Sequence, residues 1–141
     1  MLKKYLHQFL IFVCLALMAP WAMAQAWPSK PIRIVLQFPP GGSTDAVARI
    51  LAQSMTASLG QPVLVENRPG ADGAIAGEFV ARAEPDGYTF FLASNTPMMQ
   101  VPLLKKNPPY DPIKSFTPIS LVGRYIYVLV SSPSVPANTA A

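Results

Sequence analysis

The chain has 141 residues, with 11 lysines and arginines, seven aspartates and glutamates, one histidine and one cysteine. Because these last two are His7 and Cys14, the chain after residue 24 has no residues for Ser-His-Asp catalysis, thiol chemistry or the usual zinc sites. That part carries nine basic and seven acidic side chains, and this near balance excludes the strongly basic surface of a nucleic-acid-binding protein.

The first 24 residues are predicted to be a cleaved secretory signal peptide. A basic start precedes an uncharged apolar stretch at residues 9–19, and Ala22-Met23-Ala24 is a small-x-small cleavage site. The apolar stretch is shorter than the roughly 20 residues of a membrane-spanning helix, and the bulky neighbours of Cys14 do not fit a lipoprotein site. We therefore expect an exported periplasmic protein that begins at Gln25, carries no lipid and is not embedded in the membrane.

The residues after this leader, enough for one domain, begin with a strand, a helix and a second strand. The apolar run at residues 32–38 lies between prolines and predicts a strand covered on both faces. A helix follows and ends at Gly60, and residues 62–67 predict the second strand. The inward face of the helix is predicted from three- and four-residue spacing to comprise Val47, Ile50, Leu51, Met55 and Leu59.

A second helix is predicted at residues 73–83, stopped by Pro85, and a third strand at residues 88–93. The apolar face of this helix is predicted to comprise Ile75, Phe79, Val80 and Ala83. The order strand, helix, strand, helix, strand is that of a parallel α/β sheet with right-handed crossovers.

The last third of the chain is rich in proline and has weaker patterns. A short helix is predicted at residues 98–104. Residues 118–123 and 124–132 are predicted to be further strands, either separate or with one leading into the other. The remaining residues form a polar tail.

The turn "PPGGSTD" after the first strand is the best candidate for a binding site. In a parallel sheet, ligands collect at the carboxyl ends of the strands, and the first turn of a helix offers unpaired N–H groups and a positive dipole end. Gly41 and Gly42 let an anion approach the backbone, and Ser43 and Thr44 add hydroxyl donors. The alternative is purely structural: a tight turn, a hydroxyl as N-cap, and Asp45 as an acid in the first turn.

Enzymatic alternatives fit the sequence poorly. The turn lacks the lysine of the P-loop pattern and the glycine spacing of the dinucleotide fingerprint. The remaining possibility is an acid–base pair made by Asp45 with Glu66 or Asp72, for which the sequence fixes no distance. The glycines of "GADGAIAG" indicate a loop and small-residue packing on a helix.

Three blocks resemble the Bug-type extracytoplasmic solute receptors, the binding proteins of tripartite tricarboxylate transporters. They are "WPSKPIRIVLQFPPGGSTDAVARILAQ", "PVLVENRPGADGAIAGEFVARAEPDGYTF" and "YDPIKSFTPISLVG". The resemblance extends from residue 27 to about residue 136. It implies the first lobe of a two-lobed periplasmic binding protein that closes on a small carboxylate, works with membrane transporter subunits, and has neither enzymatic activity nor a cofactor.

The resemblance also implies which residues line the cleft. The loop matching Pro40, Gly41, Gly42, Ser43, Thr44 and Asp45 meets a ligand carboxylate through backbone amides, hydroxyls and water in that family. A second loop matches Ser94, Asn95 and Thr96, for which the alternative is a turn whose side chains bond their own backbone. Gln37 stands where the family commonly has proline, which we interpret as a minor change.

Members of the family are about twice as long as this chain. We therefore expect residues 25–131 to be a partial first lobe, and residues 132–141 to be a tail at the crossover toward a second lobe. Two interpretations stay open: a solute-binding protein represented by its first lobe, or a remnant that binds no ligand effectively.

Overall fold

The structure, a computed structural model, describes residues 26–126 together with residues 5, 128, 130–132 and 134. The predicted signal peptide, apart from residue 5, and most of the predicted tail therefore lie outside the described residues. Within the described part, no helix combines the length and the apolar character needed to cross a membrane.

Three parallel strands form the centre of the fold. Strand β1 (Ile32–Leu36) lies between β2 (Val63–Asn67) and β3 (Thr89–Leu92). The register pairs Leu36 with the last residue of both neighbours, so all three strands end at one edge of the sheet. The first three predicted strands and their parallel arrangement are confirmed, and the loops that follow β1, β2 and β3 emerge side by side.

Helix α1 (Ser43–Leu59) covers one face of the sheet and ends at Gly60, as predicted. Gly60 adopts a left-handed conformation with a φ of 69°, and its N–H donates to the carbonyl of Thr56 at 3.0 Å. The predicted inward face is partly wrong, because Val47 and Ile50 are exposed. The small residues Ala48 and Ala52 are buried instead, which lets the helix backbone approach the core formed by Ile32, Ile34 and Val63.

Helix α2 (Ala74–Ala81) covers the other face and follows a 3-10 turn at Ala71–Gly73. It ends four residues before Pro85, and the predicted apolar face is wrong for Ile75, which is exposed, while Ala83 lies beyond the helix. The buried residues are small, because the ring of Tyr110 lies directly on the helix: a Cβ atom at Gly77 would be 2.5 Å from it.

A π-helix at Thr96–Gln100 runs into a single α-helical turn, α3 (Val101–Leu104). The helix predicted here is confirmed and begins two residues earlier than expected. The N–H of Val101 bonds the carbonyl of Thr96 five residues back. This wider turn directly precedes Pro102, which has no N–H to continue an α-helical ladder.

The two strands predicted at residues 118–123 and 124–132 are absent from the described residues. A strand needs a backbone partner, and the sheet order β2-β1-β3 leaves this segment unpaired. Its apolar side chains are therefore exposed: Ile119, Leu121, Val122, Tyr125 and Ile126.

Candidate functional site

The loop after β1 places the amino end of α1 at the carboxyl edge of the sheet. Gly41 has a φ of 91°, which favours glycine, and Gly42 is the extended N-cap residue with no side chain to cap the helix. A Cβ atom at either glycine would meet nothing within 4 Å, so the loop faces open space. The first hydrogen bond of the helix runs from Ala46 to the carbonyl of Gly42. The N–H groups of Ser43 and Thr44 precede it and have no acceptor within the described part of the chain.

Asp45 lies beneath this loop and holds it in place. The residue is 4% exposed, and its carboxylate accepts hydrogen bonds from the N–H of Gly41 at 3.0 Å and from Asn67 Nδ2 at 3.0 Å. Arg49 adds two more, from Nε at 2.9 Å and from Nη2 at 3.0 Å. The same Asn67 amide donates to the carbonyl of Phe38 at 3.0 Å, which ties the loop to β2.

These contacts decide the charge state of Asp45. The hydrogen bonds from Arg49, then from Asn67 and the Gly41 N–H, hold the pKa of the carboxyl group well below its ordinary range. Asp45 is therefore an ionised, paired group that orients the loop. Because it occupies the N–H of Gly41, the backbone donors left for an external anion lie farther along, at Ser43 and Thr44.

The loop after β3 joins the first loop through the side chain of Gln37. This residue is 5% exposed, and its Oε1 accepts from the N–H of Ser94 at 3.2 Å while its Nε2 donates to Ser94 Oγ. The Thr96 N–H also donates to Ser94 Oγ, at 3.3 Å, which is the local bonding expected from the structural alternative. Asn95 is exposed at the start of the π-helix. The structure thus brings the two predicted loops together.

Two further features adjoin these loops. Gly73, in the loop after β2, has a φ of 88°, and a Cβ atom there would be 3.1 Å from Gln37 Cβ and 3.2 Å from Pro97 Cβ. The loop and the small-residue packing on a helix that were predicted for this segment are confirmed, the packing by Gly77 of α2 against the Tyr110 ring. The hydroxyl groups of Thr44 and Tyr125 also share a hydrogen bond, which places Tyr125 beside the amino end of α1.

Sequence reasoning missed four residues of this site. The Asp45–Arg49 pair could have been found from its four-residue spacing, which favours an ion pair on a helix. Asn67 was identified only as the end of a strand, and Gln37 as a minor departure. The contact of Tyr125 with this site could not be predicted, because nothing in the sequence indicates which loop it contacts.

In the Asp45–Glu66 form of the acid–base alternative, the two carboxylates have separate partners. Glu66 forms ion pairs with Arg68 at 2.6 Å and with Arg33 at 3.6 Å. The Asp45 carboxylate belongs to the separate network with Arg49 and Asn67. Neither carboxylate is thus placed as the partner of the other.

An open groove of about 670 Å³ lies at the opposite end of the sheet, beside the carboxyl-terminal half of α2. Its cations are already paired: Lys30 with Asp86, Arg82 with Glu78, and Arg33 with Glu66. The charges of these cations are therefore compensated by neighbouring carboxylates.

The sequence is similar to a known protein family and to several curated proteins. Residues 47–141 match the family described as "Tripartite tricarboxylate transporter family receptor". Protein BugT of Bordetella pertussis is 42% identical over 130 residues, which cover 92% of this chain and 40% of BugT. The chain spans between 33% and 40% of the length of the first curated relatives that it matches.

Solved structures show the same fold. The periplasmic binding protein BugD superposes with a TM-score of 0.62 at 48% identity, over 66% of this chain and 31% of BugD. MatC from Rhodopseudomonas palustris, determined with bound malate, also gives a TM-score of 0.62, at 40% identity, over 68% of this chain and 33% of MatC. The fold described here therefore corresponds to about a third of a periplasmic binding protein.

Proposed function

This chain belongs to the tripartite tricarboxylate transporter receptor family, and we propose that it binds a small carboxylate solute in the periplasm for a membrane transporter. The solute class is carried over from MatC, whose structure holds malate. The proposed contacts are the two loops at the carboxyl edge of the sheet: Pro40, Gly41, Gly42, Ser43, Thr44, Asp45, Ser94, Asn95 and Thr96.

The observation that supports this proposal most is the open amino end of α1. The N–H groups of Ser43 and Thr44 have no acceptor within the described residues, and a Cβ atom at the exposed Gly42 beside them would meet nothing within 4 Å. Aligned peptide dipoles add roughly half a positive charge at this end of the helix. A carboxylate accepts hydrogen bonds from such donors without needing a lysine.

The charge on Asp45 does not oppose this proposal. Its carboxylate is paired with Arg49, which gives the pair no net charge, and both oxygens already accept hydrogen bonds. Asp45 therefore contributes by fixing the loop, while the anion contacts the backbone and hydroxyl donors of Ser43 and Thr44.

The first experiment is a nuclear magnetic resonance titration of the full chain with malate, with the neutral diamide of malate as the matched ligand control. We expect malate to shift the amide signals of Gly42, Ser43 and Thr44, and the diamide to shift them far less, because only the acid carries the charge that these donors favour. Equal shifts with both ligands, or malate shifts confined to the groove at Lys30 and Arg33, would contradict the proposal.

The second experiment measures affinity in a complete cleft and uses a chimera of this chain with MatC. In the MatC chimera, this chain replaces the matching residues of MatC, and the rest of MatC continues it. MatC itself is the control, and succinate, citrate, glutamate and benzoate extend the set of ligands beyond malate. Saturable binding of at least one acid by the folded chimera is expected if the two loops of this chain form half of a competent site.

A further inference from the structure

The side chain of Gln37 links the loop after β1 directly to the loop after β3 by hydrogen bonds. It lies immediately after β1 and reaches across to Ser94, which follows β3, with both ends of its amide engaged. Gln37 is 5% exposed and packs against Gly73, where a Cβ atom would be 3.1 Å from its own Cβ. Gln37 is therefore fixed by packing as well as by hydrogen bonds.

The orientation of the Gln37 amide follows from its partners. The backbone N–H of Ser94 can only donate, so the atom that faces it has to be the amide oxygen. The amide nitrogen consequently faces Ser94 Oγ and donates to it. The usual ambiguity between the two ends of a glutamine amide does not arise here.

This orientation determines what the Ser94 hydroxyl group can do. A hydroxyl oxygen has two acceptor positions and one proton to donate. Both acceptor positions of Ser94 are occupied, one by Gln37 Nε2 and one by the N–H of Thr96. Within the described part of the chain no acceptor receives the proton, and the half-buried residue can offer it to a ligand.

We propose that Gln37 is a positioning residue that fixes the Ser94 hydroxyl group as a hydrogen-bond donor to the solute. This inference rests on the proposed function and deepens it, because it assigns the polarity of one contact. The atom of the solute that meets Ser94 is an acceptor, such as a carboxylate or hydroxyl oxygen, and a donor such as an ammonium group is disfavoured there.

Three substitutions separate this role from simple packing. Gln37→Met keeps the length of the side chain and removes both hydrogen bonds. Gln37→Glu keeps an acceptor for the Ser94 N–H and removes the donor to Oγ, so the hydroxyl proton of Ser94 turns toward the introduced carboxylate. Ser94→Ala removes the hydroxyl group itself. Amide spectra and circular dichroism of the full chain show whether each variant is folded.

Hydrogen exchange, measured without ligand, tests the hydrogen bond from the Ser94 N–H to Gln37. The Ser94 amide should exchange at least about tenfold faster in Gln37→Met than in the unsubstituted chain, because it loses its acceptor. In Gln37→Glu its exchange should stay within about threefold of the unsubstituted value. Unchanged exchange in Gln37→Met would overturn the proposed hydrogen bond, whether or not the chain binds malate.

Malate titrations of the same variants test whether Gln37 positions the Ser94 hydroxyl group for the solute. Gln37→Met, Gln37→Glu and Ser94→Ala should each weaken malate binding by about tenfold, the effect of one charge-assisted hydrogen bond. In the Ser94→Ala background, either Gln37 substitution should change the dissociation constant by less than about twofold, since the positioned group is already gone. If Gln37→Met does not fold, Gln37→Glu alone and combined with Ser94→Ala gives the same comparison.

Failure of this inference is distinguishable from failure of the proposed function. If the unsubstituted chain binds malate and the three variants bind it equally well, the role of Gln37 is wrong and the proposed function stands. If Gln37→Met weakens malate binding equally with and without the Ser94 hydroxyl group, Gln37 contributes only through packing. If neither the unsubstituted chain nor the chimera binds any acid of the set, the proposed function fails and this inference fails with it.

Discussion

Replacing Gly42 with valine tests the proposed anion contact while sparing the fold. Gly42 has a φ of −82° and a ψ of 172°, an extended conformation that residues with side chains readily adopt. A Cβ atom there meets no other atom within 4 Å. The isopropyl group would therefore project into the open space in front of the Ser43 and Thr44 N–H groups, where the carboxylate is proposed to lie.

Gly42→Val is expected to affect binding much more than folding. Because Gly42 is the N-cap residue of α1, loss of its good capping preference should cost less than about 1 kcal/mol of folding free energy. Displacing the carboxylate from one backbone donor should cost roughly 1.5–3 kcal/mol of binding free energy, which weakens binding by about 10- to 150-fold. Gly42→Ala should fall between the unsubstituted protein and Gly42→Val.

Isothermal titration calorimetry of the MatC chimera, with thermal unfolding of the same samples, measures both quantities. Ser43→Ala is the companion variant, since it removes a hydroxyl donor without adding bulk, and it should also weaken binding. Unchanged affinity in both Gly42→Val and Ser43→Ala would refute the reasoning and leave the loop as a structural turn. A large loss of stability in Gly42→Val would refute the claim that its conformation tolerates a side chain.

Three other predictions follow from the chain and its fold. Mass spectrometry of the exported protein should find Gln25 at the amino terminus, and a lipid-modified terminus at Cys14 would contradict this. The pKa of Asp45 lies below its ordinary value of 3.8, so its contribution to stability is complete above about pH 4 and is lost as the pH falls through the lower folded value. The difference in Tm between the unsubstituted chain and Asp45→Asn should accordingly be constant from pH 5 to 8 and shrink below pH 4. Gly77→Ala should lower the free energy of unfolding by about 1–2 kcal/mol in urea titrations, because its Cβ overlaps the Tyr110 ring and the gain in helix propensity offsets only part of the strain. No change on that substitution would mean that the ring moves freely.

Strand and helix order could be predicted from the sequence because it depends on local patterns. The apolar run of β1 and the glycine after α1 are signals contained in a few neighbouring residues. The inward faces of the helices were harder to predict, since size competes with hydrophobicity. Ala48 in α1 and Gly77 in α2 lie inside because close packing favours small residues there, whereas the larger Ile50 and Ile75 are exposed.

The loop after β1 could be located from the sequence, but not its internal contacts. The sequence places Gly41 and Asp45 in one turn, yet the pairing of the Gly41 N–H with Asp45 depends on how the turn folds back on the helix. The contact between Gln37 and Ser94 joins residues 57 positions apart. Such contacts depend on the parallel register of β1 and β3, which short-range patterns do not specify.

The predicted strands at residues 118–132 failed for a related reason. The apolar alternation around Ile119 and Leu121 is a real signal for strand, but a strand forms only where an edge is available in the correct direction. In the described residues this segment has no such partner, and both side chains are largely exposed.

The most direct test of the central claim compares acid binding by the full chain alone and by the MatC chimera, using the same acids and calorimetry. A second lobe excludes water and adds hydrogen bonds, and two such bonds at roughly 1.5–3 kcal/mol each correspond to more than about a hundredfold in affinity. We therefore expect saturable binding by the chimera and binding at least about a hundredfold weaker by the chain alone. Absence of binding by a folded chimera would contradict the proposed carboxylate site, and micromolar binding by the monomeric chain alone would contradict the need for a second lobe.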